Sequence, residues 1–380
     1  MPPFVGRNSL RATDCLVVGG GIVGAACARE LARAGASVEL LEARHLGAGA
    51  TAAGMGHLVT MPGVPGELEL TRHGVEAWRG EADELKRVAE YTPTGTLWIA
   101  SSAGDIELLE RQRSTFDGAG VDAELLTRAQ LAVLEPALSD AARAGLRVPG
   151  DAIVYAPRAA HWLANQSYDG RLRVRRGARV SAVGANWAQT DDGRRFEAAQ
   201  VVVAAGLNTR ALLPGLALVA KRGHLMITDR YPGTLRHHVL EIGYAASTHA
   251  DNAVSVSFNV QPRPSGQILI GSSREIEVDA AAEDPAILRR LARRALHFLP
   301  GLKDASVLRA WTGVRAASPS GLPIIGHVRL PGTQGRVWVA AGHEGLGVTT
   351  ALVSAAILRA RMFGGSLPAG LERIYAKDAA

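Results

Sequence analysis

Gly19-Gly20-Gly21-Ile22-Val23-Gly24 follows directly on the apolar run Cys15-Leu16-Val17-Val18. The stretch reads GxGxxG at a strand-to-helix junction, where a dinucleotide pyrophosphate sits in proteins built this way. Gly19 permits the tight turn, Gly21 lets the backbone approach phosphate, and Gly24 lets the helix pack close to the strand. The spacing predicts a helix over 22–34, with Ile22, Ala25, Ala26, Ala28 and Leu31 inward and Arg29, Glu30 and Arg33 outward. Its first turn, Ile22 and Val23 included, offers free N–H groups and the positive end of the helix dipole to an anion. A second apolar run, Ser37-Val38-Glu39-Leu40-Leu41, ends on Glu42, with Ala43 and Arg44 beyond it. Glu42 stands close to the ~20-residue offset of a carboxylate that accepts from an adenosine ribose. Glycine is common here, 43 of 380 residues, so the motif alone says little. Strand, glycines, helix, second strand and terminal Glu in order say much more; a glycine-rich turn without a ligand is the competing reading.

At 380 residues the chain has room for two domains, or for one large core with an inserted module. A hydrophobic fraction of 47% with 21% charged residues marks a folded globular protein. No uninterrupted apolar run approaches the ~20 residues of a membrane span. The stretch 201–220 comes nearest and is broken by Asn208, Arg210 and Pro214. Arg7 and Arg11 ahead of the apolar 15–28 imitate a signal peptide, and Gly24-Ala25-Ala26-Cys27 imitates a lipoprotein cleavage site. Cleavage there would destroy the glycine turn, so a cytoplasmic location is expected, with peripheral contact to the inner membrane compatible with it. Cys15 and Cys27 are the only cysteines and read as small buried hydrophobes, with no disulfide framework, CxxC motif or metal site expected. The net charge of +6 rests on 38 arginines against four lysines. No basic run is interleaved with aromatics, so no nucleic-acid surface is expected, only a modest pull on anionic substrates.

Further along, the pattern predicts a strand over 96–99, a helix over 105–116 with Asp105 as N-cap, and a helix over 128–134 that stops before Pro136. Strands follow over 144–155, turning at Pro149-Gly150-Asp151, and over 171–183. Gln200-Val201-Val202-Val203-Ala204-Ala205-Gly206 suits a parallel strand buried on both faces. The region 222–274 reads as strand throughout, 285–299 as a charged helix, and 347–363 as a last helix stopped by Gly364-Gly365. The predicted fold class is α/β with α+β character. A Rossmann-like nucleotide-binding domain is assigned to 1–85, 145–218 and 308–380, and a discontinuous antiparallel-sheet substrate domain to 86–144 and 219–307.

Four stretches together resemble the D-amino-acid oxidase (DAO) family of FAD enzymes, whose fold is of the glutathione-reductase type. The family includes glycine oxidase, sarcosine oxidase and bacterial D-amino-acid dehydrogenases. The stretches are GGGIVG at 19–24 with Glu42, GAGATAAGMG at 47–56, VVVAAG at 201–206, and WTGVRAASPSGLPIIG at 311–326 with AAGHEGLGVT at 340–349. Within the family, AAGMGHL at 52–58 and FNVQPRPSGQILIGSSRE at 258–275 look most like D-hydroxyproline dehydrogenases and the related beta subunits of opine and cyanide-forming oxidases.

The resemblance implies FAD as cofactor. Thr51, with Ala52 and Met55 beside it, would serve the second phosphate, while Gly54 and Gly56 admit the isoalloxazine; a flexible surface loop is the alternative. Ala205 and Gly206 would lie beside the adenine and pyrophosphate, though the valines before them read equally well as plain core. Gly342, Gly345, Leu346, Gly347, Val348 and Thr349 make a glycine-rich helix entry whose N–H groups would face the flavin N1 and C2 carbonyl, where negative charge develops. His343 in that turn and His57 after the flavin-side loop are catalytic candidates, with packing or hydrogen bonding as the other reading of each. The flavin is expected to be non-covalent: sarcosine-oxidase-like members tether it to a late cysteine, and none follows Cys27. Members that use histidine place it where Thr51 stands.

Arg315, in Trp311-Thr312-Gly313-Val314-Arg315, matches the arginine with which glycine oxidase and its relatives clamp the substrate carboxylate. A guanidinium suits the task because its fork of donors holds a carboxylate bidentately and stays charged; a structural ion pair is the alternative. The second arginine of the family's GHxRxG turn is replaced by Gly345. Tyr244 and His224 are the candidates to complete carboxylate binding, and Tyr244 and Phe258 to roof the site, each being also a plausible core or wall residue. The implied reaction is hydride transfer from the carbon alpha to the amine onto flavin N5, leaving an imine. A D-amino acid, above all cis-4-hydroxy-D-proline or D-proline, is the favoured substrate, with glycine or sarcosine oxidation as the alternative. Oxygen, a quinone or a partner protein would take the electrons. A homo-oligomer is compatible with the sequence, as is the role of a beta subunit with iron–sulfur partners.

Overall fold

Cys15, Leu16, Val17 and Val18 are all buried, as a strand covered on both faces requires. The strand Thr13–Val18 pairs in parallel with Val38–Glu42 on one side and with Arg195–Val203 on the other. The structure, a computed structural model, describes residues 13–166, 168–243, 254–278, 282–330 and 335–375. The first sheet runs in the order Ile324–Arg329, Arg336–Ala341, Arg195–Val203, Thr13–Val18, Val38–Glu42, Leu172–Arg176. Along that path only the edge strand Ile324–Arg329 is antiparallel to its neighbour. A hairpin of Val180–Gly184 and Trp187–Thr190 extends from the start of Arg195–Val203.

The glycine turn opens the helix Ile22–Arg33, which packs against the last helix, Gly347–Phe363. Small residues make that approach close: Ala25, Ala28 and Ala32 on one side, Ala351 and Ala355 on the other, all buried. The helix Glu67–Gly80 crosses the last helix at Gly74, where a β-carbon would stand 2.3 Å from the Thr349 carbonyl oxygen. By length and composition the segment Glu344–Phe363 is long and apolar enough to cross a membrane. Here it is a core helix, with Val353, Ile357 and Leu358 covered by protein. The apolar stretch 201–220 instead divides between the end of one strand, the short helical segments Gly206–Asn208 and Thr209–Leu212, and the start of Val219–Thr228.

The second sheet has eight strands in the order Val307–Ala317, Val219–Thr228, Ile268–Ile276, Val254–Pro262, His238–Glu241, Thr96–Ala100, Ala144–Val148, Glu124–Thr127. All neighbours are antiparallel except His238–Glu241 and Thr96–Ala100. The helix Pro285–Phe298 covers one face through Ile287, Leu291, Ala295 and Phe298. Two domain boundaries move accordingly. Ala144–Val148 and Val307–Ala317 belong to this sheet, not to the nucleotide-binding segments drawn from 145 and from 308. Alternation in sequence reveals a strand but not its partners, which here lie far away along the chain.

Three local expectations also change. The first long helix of the second unit is Ala103–Gly118, capped by Ser102; Asp105 is the third helical residue, whose carboxylate returns to the Ser102 N–H in a capping box. Arg29 turns inward: it is 8% exposed, pairs with Glu81, and its Nε donates to the Tyr168 hydroxyl at 3.0 Å. The helix Ala156–Ala164, with Pro157 in its first turn, has no counterpart among the expected elements. Cys15 and Cys27 are free and buried, and burial pushes both thiols up to about 12.

Candidate active site

The three motif glycines are glycine for different reasons. Gly19 has φ +108°, and a β-carbon on it would stand 2.5 Å from the Ala204 carbonyl oxygen. One on Gly24 would stand 1.9 Å from the Gly19 carbonyl oxygen, so Gly24 serves helix–strand packing and does not face the cavity. Gly21 has an ordinary φ of −67°, and a β-carbon there would meet only the Thr51 hydroxyl, at 3.2 Å. Protein does not require a glycine at 21; the space beyond it is cavity. Such a cradle admits a group that must lie against bare backbone at a helix N-terminus.

The cavity measures about 830 Å³ and runs between the two sheets. It touches every anticipated cofactor position except Gly24, Ala52 and Thr349. Thr51 and Ala52 lie on the short helix Ala50–Ala53, whose turn buries Thr51 and exposes Ala52. Thr51 Oγ1 accepts from the Ile22 N–H at 3.0 Å, which fixes the loop against the first helical turn. The Thr349 hydroxyl donates to the His57 carbonyl at 2.9 Å and accepts from the Val59 N–H, tying the last helix to the loop instead of facing the cavity. Glu42 is held by two backbone donors, Gly20 N–H on Oε2 and Arg44 N–H on Oε1, both at 2.7 Å. A carboxylate has about four acceptor positions, so two remain for hydroxyl groups in the cavity.

The second sheet forms the opposite wall, and strand alternation decides which residues reach it. Gly223 and Leu225, Ser272 and Arg274, Gly313 and Arg315, and Asn259 face the cavity. His224, between Gly223 and Leu225, therefore points to the far face, fully buried, with Nδ1 on the Ser273 hydroxyl and Nε2 accepting from the Asp284 N–H. Phe258 is on that far face as well, its ring 4.8 Å from Phe298. Neither is placed to touch a substrate. Tyr244 lies outside the described residues.

Arg315 is on the cavity wall, its guanidinium lying over Gly223 and its Nη1 donating to the Ser273 carbonyl at 3.1 Å. Three further charged residues stand beside it. Glu344, in the turn before the last helix, pairs with Lys221 at 3.1 Å and with Arg274 at 3.0 Å, both partners nearly buried. Glu344 itself stands at φ +48°, a left-handed conformation unusual for Glu. Sequence reasoning missed Lys221, Arg274 and Glu344. Parity along Ile268–Ile276 was the available signal, because Arg274 shares the cavity face with Ser272.

His343 is 8% exposed, with Nε2 3.1 Å from the Ser354 hydroxyl inside the last helix, and burial brings its imidazole down to about 4. It lines the cavity beside the glycine-rich turn, with its ring tied back to the last helix. His57 lines the cavity, its Nε2 3.1 Å from the Thr96 hydroxyl and its ring 3.5 Å from that of His238. Burial, then the neighbouring His238, holds it well below the usual imidazole range.

The profile of the FAD dependent oxidoreductase family designated DAO matches residues 14–361. This chain belongs to that family. It is 26% identical over 352 residues to glycine oxidase of Geobacillus kaustophilus, covering 88% of this chain and 89% of that one. The crystal structure of that glycine oxidase superposes with a TM-score of 0.81 over 97% of this chain and 99% of the other, at 24% identity. D-amino acid dehydrogenase of Cereibacter sphaeroides is 26% identical over 430 residues, 96% of each chain. A subunit of the opine oxidase of Rhizobium meliloti is 25% identical over 387 residues, 96% of this chain and 97% of that one. The cofactor of the family is FAD, and the site fits it. The Gly21 cradle suits the pyrophosphate, the two open positions on Glu42 suit ribose hydroxyls, and the cavity continues between the loop 49–56 and the turn 342–348 to Arg315.

Proposed function

We propose that this FAD-dependent oxidoreductase oxidises a D-amino acid at the carbon bearing its amine, with D-proline or cis-4-hydroxy-D-proline favoured. The chemistry FAD supplies when bound is acceptance of the hydride from that carbon at N5, which leaves an imine on the substrate. The observation that carries the reading is the Arg315 guanidinium, held on the cavity wall over Gly223 and beside Gly345 of the glycine-rich turn. In this reading Arg315 receives the carboxylate as a bidentate partner and so fixes the orientation of the carbon alpha to it. Asn259, Leu225 and Met55 complete the wall and exclude water around the reacting carbon. A single clamp facing a planar ring supports one hand: only one enantiomer presents its hydrogen to the ring while its carboxylate meets Arg315. The likeness to D-amino acid dehydrogenase along 96% of both chains supports the D series, and the sequences at 52–58 and 258–275 support the ring.

The flavin is held without a covalent bond in this reading, since no cysteine follows Cys27. The setting is cytoplasmic, because cleavage at 24–27 would remove the strand Thr13–Val18 from the middle of its sheet. A second reading makes the chain the flavin-binding subunit of a larger amino-acid or opine dehydrogenase, favoured by the full-length likeness to the opine oxidase subunit. Anaerobic mixing of the flavin-loaded protein with D-proline, cis-4-hydroxy-D-proline, their L-enantiomers, glycine and sarcosine tests the choice through loss of flavin absorbance. The D-imino acids should bleach the flavin fastest and the L-forms hardly at all. Bleaching by glycine or sarcosine but not D-proline would make the chain a glycine or sarcosine oxidase. No bleaching by any of them would favour the multi-subunit reading.

A further inference from the structure

Asn259 stands on the cavity side of the strand Val254–Pro262 and is 4% exposed. Its pairing partner on the next strand is Gly271. Two apolar side chains lie over that glycine: a β-carbon on it would stand 2.5 Å from Leu225 Cδ2 and 3.4 Å from Met55 Sδ. Asn259 is therefore a polar group set beside an apolar stretch of wall. Its amide is oriented from behind, by the hydrogen bond between Oδ1 and His238 Nε2. His238 is fully buried, and the His57 ring packs on it with centroids 3.5 Å apart. Burial brings His238 down to about 4, so near neutral pH it is uncharged and carries a single N–H. His238 Nδ1 has no hydrogen-bond partner, which puts that proton on Nε2, where Oδ1 accepts it. Asn259 Nδ2 then keeps both of its hydrogens on the cavity side, with no partner among the described residues.

We propose that Asn259 recognises a ring hydroxyl of the substrate that lies on the same side as its carboxylate, and so selects a cis-4-hydroxylated cyclic D-amino acid over the plain ring and over the trans epimer. The proposal rests on the D-amino-acid reading above. Gly223, Ser272 and Asn259 belong to three successive strands of the second sheet. Arg315 lies over Gly223, so its guanidinium and the strand of Asn259 are two strand spacings apart, about 10 Å. A hydrogen bond of about 2.9 Å at each end leaves about 4 Å between the two polar groups of the ligand. A five-membered ring with a carboxylate on one carbon and a hydroxyl across from it suits that span.

The side of the ring follows from the same wall. Arg315 and Asn259 rise from one face of one sheet, so both polar groups of the ligand must point to that face, which in a ring is the cis arrangement. The hydrogen on the carbon alpha to the carboxylate then points away from the sheet, into the cavity. D-proline or the trans epimer, bound by the same clamp, would cover the Asn259 N–H groups and give them no acceptor, which costs the site the bonds those donors made with water. A site built to hydrogen-bond a substrate hydroxyl discriminates strongly for that reason.

The test compares cis-4-hydroxy-D-proline, its trans epimer and D-proline as anaerobic reductants of the bound flavin. The native protein should favour the cis compound at least tenfold over each of the others in reduction rate over Kd, and Asn259→Leu should erase that preference. His238→Phe keeps a ring against His57 but loses the donor that orients the amide, so it should narrow the same preference; it also serves if Asn259→Leu fails to fold. Two ligands with no amine to oxidise, cyclopentanecarboxylate and cis-3-hydroxycyclopentanecarboxylate, separate binding from turnover when titrated against flavin absorbance. The hydroxylated ring should bind the native protein at least tenfold more tightly than the plain one, and Asn259→Leu no more tightly. A native protein indifferent to the hydroxyl or to its side, or a preference that survives Asn259→Leu, would overturn the role of Asn259 while leaving amine oxidation standing. If none of the three imino acids reduces the native flavin, the cyclic-substrate reading falls and this proposal with it.

Discussion

Gly223 lies directly under the Arg315 guanidinium: a β-carbon there would stand 2.5 Å from Nη2 and 2.6 Å from Nη1. The obstructed atoms are the far end of a flexible side chain, so an added methyl would move the guanidinium rather than break the sheet. Gly223→Ala should therefore fold and hold FAD normally but bind substrate about 30-fold more weakly, a loss of about 2 kcal/mol. Titration of the variant with a substrate-like carboxylate, read by the flavin spectrum, checks this. Native affinity would mean that the carboxylate does not meet Arg315.

Arg315→Lys keeps the charge and loses the planar fork. Truncating one partner of a buried charged pair costs about 2–5 kcal/mol, so substrate binding should weaken by at least thirtyfold with the flavin spectrum unchanged. Amines without a carboxylate should react poorly with the native enzyme and respond little to the substitution. Steady-state kinetics with an amino acid and its decarboxylated amine separate the two cases. Equal losses for both would assign Arg315 a structural role.

Gly21 and Gly24 should fail differently. Gly21→Val fills the cradle without touching backbone, so the protein should fold but recover without flavin. Gly24→Val drives side-chain atoms into the Gly19 carbonyl, already 1.9 Å from a β-carbon, so soluble protein should be scarce. Absorbance at the flavin band set against protein yield distinguishes them. Full flavin occupancy in Gly21→Val would place the phosphates elsewhere. Acid precipitation of native protein should release all the flavin into solution; flavin that stays with the pellet would overturn non-covalent binding.

The first nucleotide-binding unit was legible because local signals agree there: apolar strand, glycines at fixed spacing, helix, and Glu42 at the end of the next strand. The last helix was legible to the residue, from its glycine entry to Gly364. The substrate wall was not. Its residues are chosen by parity within strands paired far along the chain, and a one-residue change of parity separates Arg315 and Arg274 from His224 and Phe258. Residue type drew attention to His224, but alternation beside Gly223 turns it away. Arg29 shows the same limit on a helix. It reads as a solvated charge until Glu81 and Tyr168 arrive from 52 and 139 residues away.

Acid should destabilise the protein before it reaches the ordinary carboxylates. Burial brings His238 and His343 down to about 4 from an ordinary 6.5, and holds His57 well below its usual range. The unfolded chain then binds more protons than the folded one below about pH 6.5, so stability falls as pH drops from there towards 4. A shift of that size is worth about 3 kcal/mol per histidine when fully expressed. Asp151 acts in the opposite sense. Its carboxyl is raised from 3.8 to about 7, so it contributes stability that is lost as pH rises through that interval, and it partly offsets the histidines as pH falls. Thermal unfolding of the flavin-loaded protein should therefore show a midpoint that declines between pH 7 and 5, and Asp151→Asn should steepen the decline. His343→Gln, which leaves the other cavity residues in place, should make it shallower. A midpoint that stays flat across this range in Asp151→Asn would mean that the buried histidines carry charge in the folded state, and a decline that Asp151→Asn flattens would mean that folding lowers the Asp151 carboxyl instead of raising it.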